Sequence, residues 1–332
     1  MALQKDVVYR YLSESIVQRY QKNAGRTLGD VYRVDDEFLG VTSDFVEFAS
    51  TNRDEIVVVL SDPLLAANLV DLFVHHSIDF TYENNQFVHF DEHEKNRLEK
   101  IYSQYLTDIK TAIETSLTAD QLETRLSKVI EDHFLDIRKN ISRFFDREME
   151  QRVQENVILK QAVCSEYSPE LQLRILGIDL VKMTRPVLDI GCGKQGKLVK
   201  YLNDRGIQSV GIDRFIEPQP HLVEVDWFQA DFSAGTWGTI LSHMAFSNHF
   251  LFHHRYTHGN PEAYARLYIQ ILSSLKPGGT FHYAPALPFI EQFLPGDTFT
   301  LSRKRIESPE SFTLPYGSPD ETGFVSCVTR IG

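Results

Sequence analysis

The stretch that most constrains this chain is Pro186-Val187-Leu188-Asp189-Ile190-Gly191-Cys192-Gly193-Lys194-Gln195-Gly196. An apolar run ends in an acid and closely spaced glycines, and Leu198, Val199 and Leu202 follow at helical spacing. This pattern predicts a buried strand, a tight turn and a helix. Glycines let the backbone take positive φ and approach a ligand closely. In an open α/β sheet such a turn lies at the carboxyl end of a strand, where cofactors bind.

Two readings of the turn compete. Gly191-x-Gly193-x-x-Gly196 matches the dinucleotide fingerprint, with a pyrophosphate on the helix N-terminus and Asp213 on a ribose hydroxyl. The stretches that follow favour the other reading. Ser209-Val210-Gly211-Ile212-Asp213 reads as a second strand ending in an acid, and Val225 to Phe232 as a third strand with Asp231 at its end. Gly238 to His243 reads as a fourth strand, and Leu275-Lys276-Pro277-Gly278-Gly279-Thr280-Phe281 as a turn into a fifth. Phe299 to Ile306 and Phe324 to Ile331 supply two closing strands.

From about Glu166 to Gly332 these motifs, in this order, resemble the class I S-adenosylmethionine-dependent methyltransferases. Val187 to Gly193 is similar to that family's first motif, and Leu275 to Gly279 to its Leu-Lys-Pro-Gly-Gly turn. The resemblance implies a Rossmann-like seven-stranded α/β domain whose last two strands form an antiparallel pair. It implies S-adenosylmethionine as cofactor, with Asp213 on the ribose, Asp231 on the adenine amino group and Phe232 on the ring. It implies further cofactor contacts from Asp189, Gly191, Cys192, Gly193, Arg214 and Ser242. Tyr167, ahead of the short helix before the first strand, would cover the methionine end or pack as a buried tyrosine. One departure is Gln195, where the family often has a third glycine, so the turn is expected to be one residue longer.

Methyl transfer asks a protein mainly to align the groups and exclude water. A base helps when the acceptor is a hydroxyl or protonated amine. The acceptor site is expected beside the fourth strand's end, at Ser242 to His249. That segment lacks the Asp/Asn-Pro-Pro-aromatic pattern of methyltransferases acting on nucleobase or glutamine amino groups. Histidines at 243, 249, 253, 254 and 258 stand among aromatics there. Three readings are carried forward: a lid or surface loop with packing aromatics, a histidine base near neutral pH, and a metal site. His243 and His249 are the candidate bases. No clear carboxylate accompanies the histidines, so no metal is assigned.

The length of 332 residues predicts two domains, divided at 1–160 and 161–332. The first is expected to be mainly helical with some β structure. A helix is expected over residues 4–22, a strand over Glu55 to Leu60, and a helix from Pro63 to about His76 capped by Asp62. A hairpin is expected over Phe80 to Phe90, then two or three long helices with a capping box at Thr118 and Gln121. Two roles fit this half: substrate recognition, or dimerisation. The net charge of −12 argues against nucleic acid. The basic run Ser302 to Arg305 reads as a solvated strand face. Three cysteines without close spacing and no signal-peptide pattern predict a reducing, cytoplasmic setting without a membrane. The expected activity is methyl transfer to an oxygen or nitrogen of a small metabolite. Its rivals are an NAD(P)-binding oxidoreductase and a non-catalytic, methyltransferase-like interaction module.

Overall fold

A computed structural model describes residues 2–22, 41–85, 88–141, 167–255, 259–306 and 323–332. Contacts divide the chain into two units, Met1–Val163 and Cys164–Gly332.

The described residues of the first unit are helical: α1 (Ala2–Lys22), α2 (Ser43–Thr51), α3 (Arg53–Ser61), α4 (Pro63–Asn84), α5 (Glu92–Thr115) and α6 (Ala119–Ile141). Asp62 caps α4 as its side chain predicts, accepting from the backbone N–H of Leu64 and Leu65 at 3.0 and 3.2 Å. The strand expected at residues 55–60 is instead helix α3. Its β-branched run is overridden by packing: Ile56 and Val59, three apart, are fully buried, and Asp54 and Glu55 suit a helix's first turn. The hairpin expected from Phe80 is corrected too. Helix α4 runs on to Asn84, and Thr81 and Asn84 turn their side chains onto carbonyls one turn back, those of Ser77 and Phe80. At Thr118 the capping box is half formed. Gln121 N–H donates to Thr118 Oγ1, while the Gln121 side chain reaches the N–H of Leu117 rather than that of Thr118. Among the described residues no single helix is long and apolar enough to cross a membrane. Only α3 and α4 together reach that apolarity, and they bend by 86°.

The second unit holds α7 (Pro169–Leu176), β1 (Val187–Ile190), α8 (Lys197–Asn203), β2 (Ser209–Asp213), β3 (Leu222–Glu224) and β4 (Trp237–His243). There follow α9 (Phe246–Arg255), α10 (Pro261–Ser273), β5 (Leu275–Ala284), α11 (Pro288–Glu291), β6 (Phe299–Arg305) and β7 (Phe324–Arg330). The strands form one sheet of order β3-β2-β1-β4-β5-β7-β6. All pairs are parallel except those made by β7, which runs antiparallel to both β5 and β6.

Side chains alternate across the sheet and build a core on each face. One gathers Leu188, Ile190, Ile240 and Phe281 with α9 and α10 side chains such as Phe246, Phe250, Tyr264 and Tyr268. The other gathers Val187 and Leu241 with Leu173, Leu176, Leu198 and Leu202 from α7 and α8. The sheet is therefore covered on both sides, as parallel strands require. Residues Ser302 to Arg305 of β6 are exposed, as a solvated face should be.

A buried carboxylate ties the sheet's far edge together. The side chain of Glu291 is fully buried. Its Oε1 accepts from Tyr283 Oη (2.6 Å), Ser326 Oγ (2.6 Å) and the Leu287 N–H (2.8 Å). Its Oε2 accepts from Arg303 Nε at 2.6 Å, so the charge is paired as well as hydrogen-bonded.

Candidate cofactor and acceptor site

The site is built at the carboxyl ends of β1, β2 and β4. Val187 to Ile190 are all buried, so β1 delivers Asp189 into a dry position. The chain then turns through Gly191, whose φ of 75° disfavours any side chain. A Cβ there would lie 2.2 Å from that of Ala245, so only glycine lets the β1 turn pass beneath the segment joining β4 to α9. The N–H groups of Gly191 and Cys192 both reach the Ile212 carbonyl, and Gly193 N–H donates to Asp213 Oδ2 at 3.0 Å. The glycine that starts the helix is Gly196, with φ of 55° directly before α8. Its missing Cβ makes room for the Leu222 side chain. Gln195 stands inside the turn, between Gly193 and Gly196.

Two acids meet here at electrostatic cost. Burial, and then the charge of Asp213, push the Asp189 carboxyl up to about 7. Burial pushes Asp213 up as well, partly offset by the Gly193 and Phe215 N–H groups and by Arg214. Asp189 Oδ2 is buried and has no hydrogen-bond partner among the described residues. An acid whose folded pKa is raised stabilises the fold below its ordinary value near 4 and loses that contribution as pH rises through 7. Asp189→Asn is therefore expected to flatten the fall in stability between about pH 4 and pH 7. Urea melts at several pH values check this, and an unchanged slope would count against it.

The third strand is shorter and earlier than its sequence suggests. β3 ends at Glu224, and Asp231 is exposed, its carboxylate accepting from Ser233 Oγ at 2.8 and 2.9 Å. Phe232 packs against the α9–α10 core. The acid that follows β3 directly is Asp226, which sequence reasoning passed over. Val225 N–H donates to the Asp213 carbonyl at 2.9 Å, fixing Asp226 beside the end of β2, and Asp226 Oδ1 accepts from Phe228 N–H at 2.9 Å. Trp227 was passed over too. It is buried, and its ring lies 3.2 Å from where a Gly191 Cβ would stand. The sequence carried little signal for either, since β3 is three residues long with only Leu222 partly buried.

Other expected residues fall into different places. The Cys192 side chain packs with Val199 and Ile216 under β2. Ser242 is fully buried and structural: its hydroxyl donates to the Ile190 carbonyl at 2.9 Å and accepts from Phe246 N–H at 3.0 Å. It staples β1 to β4 and caps α9. Tyr167 lies edge-on to His243, with ring centroids 5.0 Å apart.

The described part of the histidine-rich stretch is a helix rather than a surface loop. Residues 246–253 are buried in helix α9. The clue was in the spacing: Phe246 with Phe250, and His249 with His253, each repeat at one helical turn. His249 lies edge-on to Trp227 at 4.8 Å, with Nδ1 3.5 Å from Tyr264 Oη. His253 accepts from Asn260 N–H through Nδ1 and stacks on Tyr264, while His254 stacks on Phe289. His258 lies outside the described residues. Among the described residues no group of three or more His, Cys, Asp or Glu could hold a metal ion. His243, at the end of β4, is held down to about 4 by burial and so stays neutral at pH 7.

The sheet order, the single reversed strand and the glycine turn at the end of β1 make this unit a Rossmann-like open α/β sheet, as expected from the sequence. Three solved structures similar to the chain carry methyltransferase descriptions. One is a SAM-dependent methyltransferase from Archaeoglobus fulgidus, 19% identical, covering 49% of this chain and 94% of its own, TM-score 0.35. Another is the N-methyltransferase NodS from Bradyrhizobium japonicum WM9, 14% identical, covering 49% and 96%, TM-score 0.33. The third is the plantazolicin methyltransferase BpumL in complex with SAH, 15% identical, covering 57% and 93%, TM-score 0.34. No family model and no curated protein matches the chain.

Proposed function

We propose that the C-terminal unit binds S-adenosylmethionine at the ends of β1, β2 and β3 and transfers its methyl group to an oxygen or nitrogen of a small metabolite. The observation that carries this reading is the pair of buried acids Asp189 and Asp213, one with an oxygen that lacks a hydrogen bond. A ligand bearing an ammonium and a sulfonium relieves that cost. A dinucleotide's pyrophosphate would bring more negative charge to the same turn, which weighs against the oxidoreductase reading.

When bound, S-adenosylmethionine supplies a methyl group already activated by its sulfonium. Asp213 Oδ2 accepts from the Gly193 N–H and Oδ1 from the Phe215 N–H, and a carboxylate's further lone pairs suit ribose hydroxyls. Asp226, in place of Asp231, would accept from the adenine amino group. Gly191 and Trp227 shape the floor between cofactor and acceptor. His243, neutral at pH 7, would take the proton that methylation releases, with Tyr167 covering it. His249, packed between Trp227 and Tyr264, suits a positioning role for the acceptor.

The test is a thermal-shift titration of the full chain with S-adenosylmethionine, S-adenosylhomocysteine and NADH. Both adenosyl compounds are expected to raise the melting temperature, since a ligand that binds the native state stabilises it by mass action. Asp213→Ala should abolish the rise. A shift with NADH alone would overturn the proposal. Binding without turnover across a panel of hydroxyl and amine acceptors would favour the non-catalytic module.

A further inference from the structure

We infer that the N-terminal helical unit holds a second, separate small-molecule site, suited to an apolar molecule that ends in a carboxylate. A cavity of about 590 Å³ lies among α1, α4, α5 and α6, within the range of roughly 300–1,000 Å³ that small-molecule pockets occupy. Its walls are largely apolar, with Leu12, Ile16, Leu69, Ile109, Leu126 and Ile130 among the lining residues. A concave, mostly apolar space of this size with a few convergent polar groups is the form that small-molecule pockets take.

Among the polar groups that line the cavity, three from different helices stand together. Arg19 Nη1 lies 3.4 Å from Tyr105 Oη, and the Tyr105 ring stacks on His133 with centroids 4.0 Å apart. Arg19, Tyr105 and His133 therefore form one contiguous head. His133 is only 7% exposed, and its Nδ1 has no hydrogen-bond partner among the described residues. Buried polar atoms are nearly always paired, so this one marks where a ligand atom belongs. Burial, and then the Arg19 charge, hold His133 down to about 3, so at pH 7 it offers a neutral N–H or lone pair beside a fixed cation. Beside the head, Tyr20, Ser77 and Tyr102 hydroxyls bond one another in a closed triangle. They are satisfied without a ligand and supply a polar wall. Asp44, the acid among the described lining residues, is exposed. A guanidinium with a neutral imidazole and a phenol selects an anionic, oxygen-rich end group, and a carboxylate fits it.

The site belongs to the N-terminal unit alone, so it stands whether or not the other unit transfers methyl groups. The test is calorimetric titration of the full chain with sodium decanoate, decanol and decylamine. Decanoate is expected to bind saturably at one molecule per chain, with decylamine at least tenfold weaker. Arg19→Gln should weaken decanoate at least tenfold and leave decanol within threefold. Tyr105→Phe, which keeps the ring, should weaken decanoate by a smaller factor. Circular dichroism of both variants confirms folding, and the wild-type comparison of decanoate with decylamine needs no variant. No saturable decanoate binding, or equal binding of decanoate and decylamine, would overturn the inference.

Discussion

Gly191→Ala is expected to destabilise the C-terminal unit by about 2–5 kcal/mol and to remove S-adenosylmethionine binding with it. Two costs add. The residue sits at φ of 75°, where a Cβ meets the following carbonyl. The new methyl would also stand 2.2 Å from the Ala245 Cβ, so the β1 turn and the β4–α9 segment must separate. That separation moves the backbone that aims Asp189. Ala245→Gly should restore part of the stability by removing the clash, while the φ cost remains. Trp227 and Trp237 are the chain's tryptophans and both lie in this unit, so their fluorescence reports its unfolding selectively. A variant as stable as the wild type would show that the turn has room the geometry denies.

Glu291→Ala is the second large effect, a loss of about 3–5 kcal/mol in the same assay. The truncation removes the acceptor of Ser326 Oγ and the Leu287 N–H, leaves Tyr283 Oη with Tyr268 Oη alone, and leaves Arg303 without its carboxylate. Glu291→Gln keeps an acceptor at Oε1 and should cost about 1–3 kcal/mol, the loss of the charged contact to Arg303. Equal losses in the two variants would mean that the charge, rather than the number of hydrogen bonds, holds this edge.

How far the residues alone disclosed this molecule follows from how each element buries its side chains. β1, β2 and β4 were readable because strands covered on both faces are continuous apolar runs, and Asp62 and Pro63 announced α4 through local capping chemistry. β3 was misplaced because it is the sheet's edge, three residues long, with Val223 and Glu224 exposed, so it carries almost no apolar signal. The acid placed at the end of the third strand was therefore Asp231, whereas Asp226 is the one that follows β3. The strand expected at residues 55–60 rested on β-branched propensity, which packing of Ile56 and Val59 against neighbouring helices reverses. α9 hid because histidine, serine and asparagine fill a buried helix where apolar residues are the usual guide. The N-terminal cavity had no local signal, since its head draws Arg19, Tyr105 and His133 from three helices far apart in sequence.

The placement of β7 has a consequence for synthesis. The last of the seven strands in chain order lies between β5 and β6, and among the described residues β6 pairs with no other strand. While the ribosome is still extending the chain, β6 therefore waits as an unpaired ribbon. The sheet closes in one late insertion once residues 324–330 have emerged from the exit tunnel. A stall before that point would leave the edges of β5 and β6 exposed together, the moment at which a nascent copy is most open to mispairing with another.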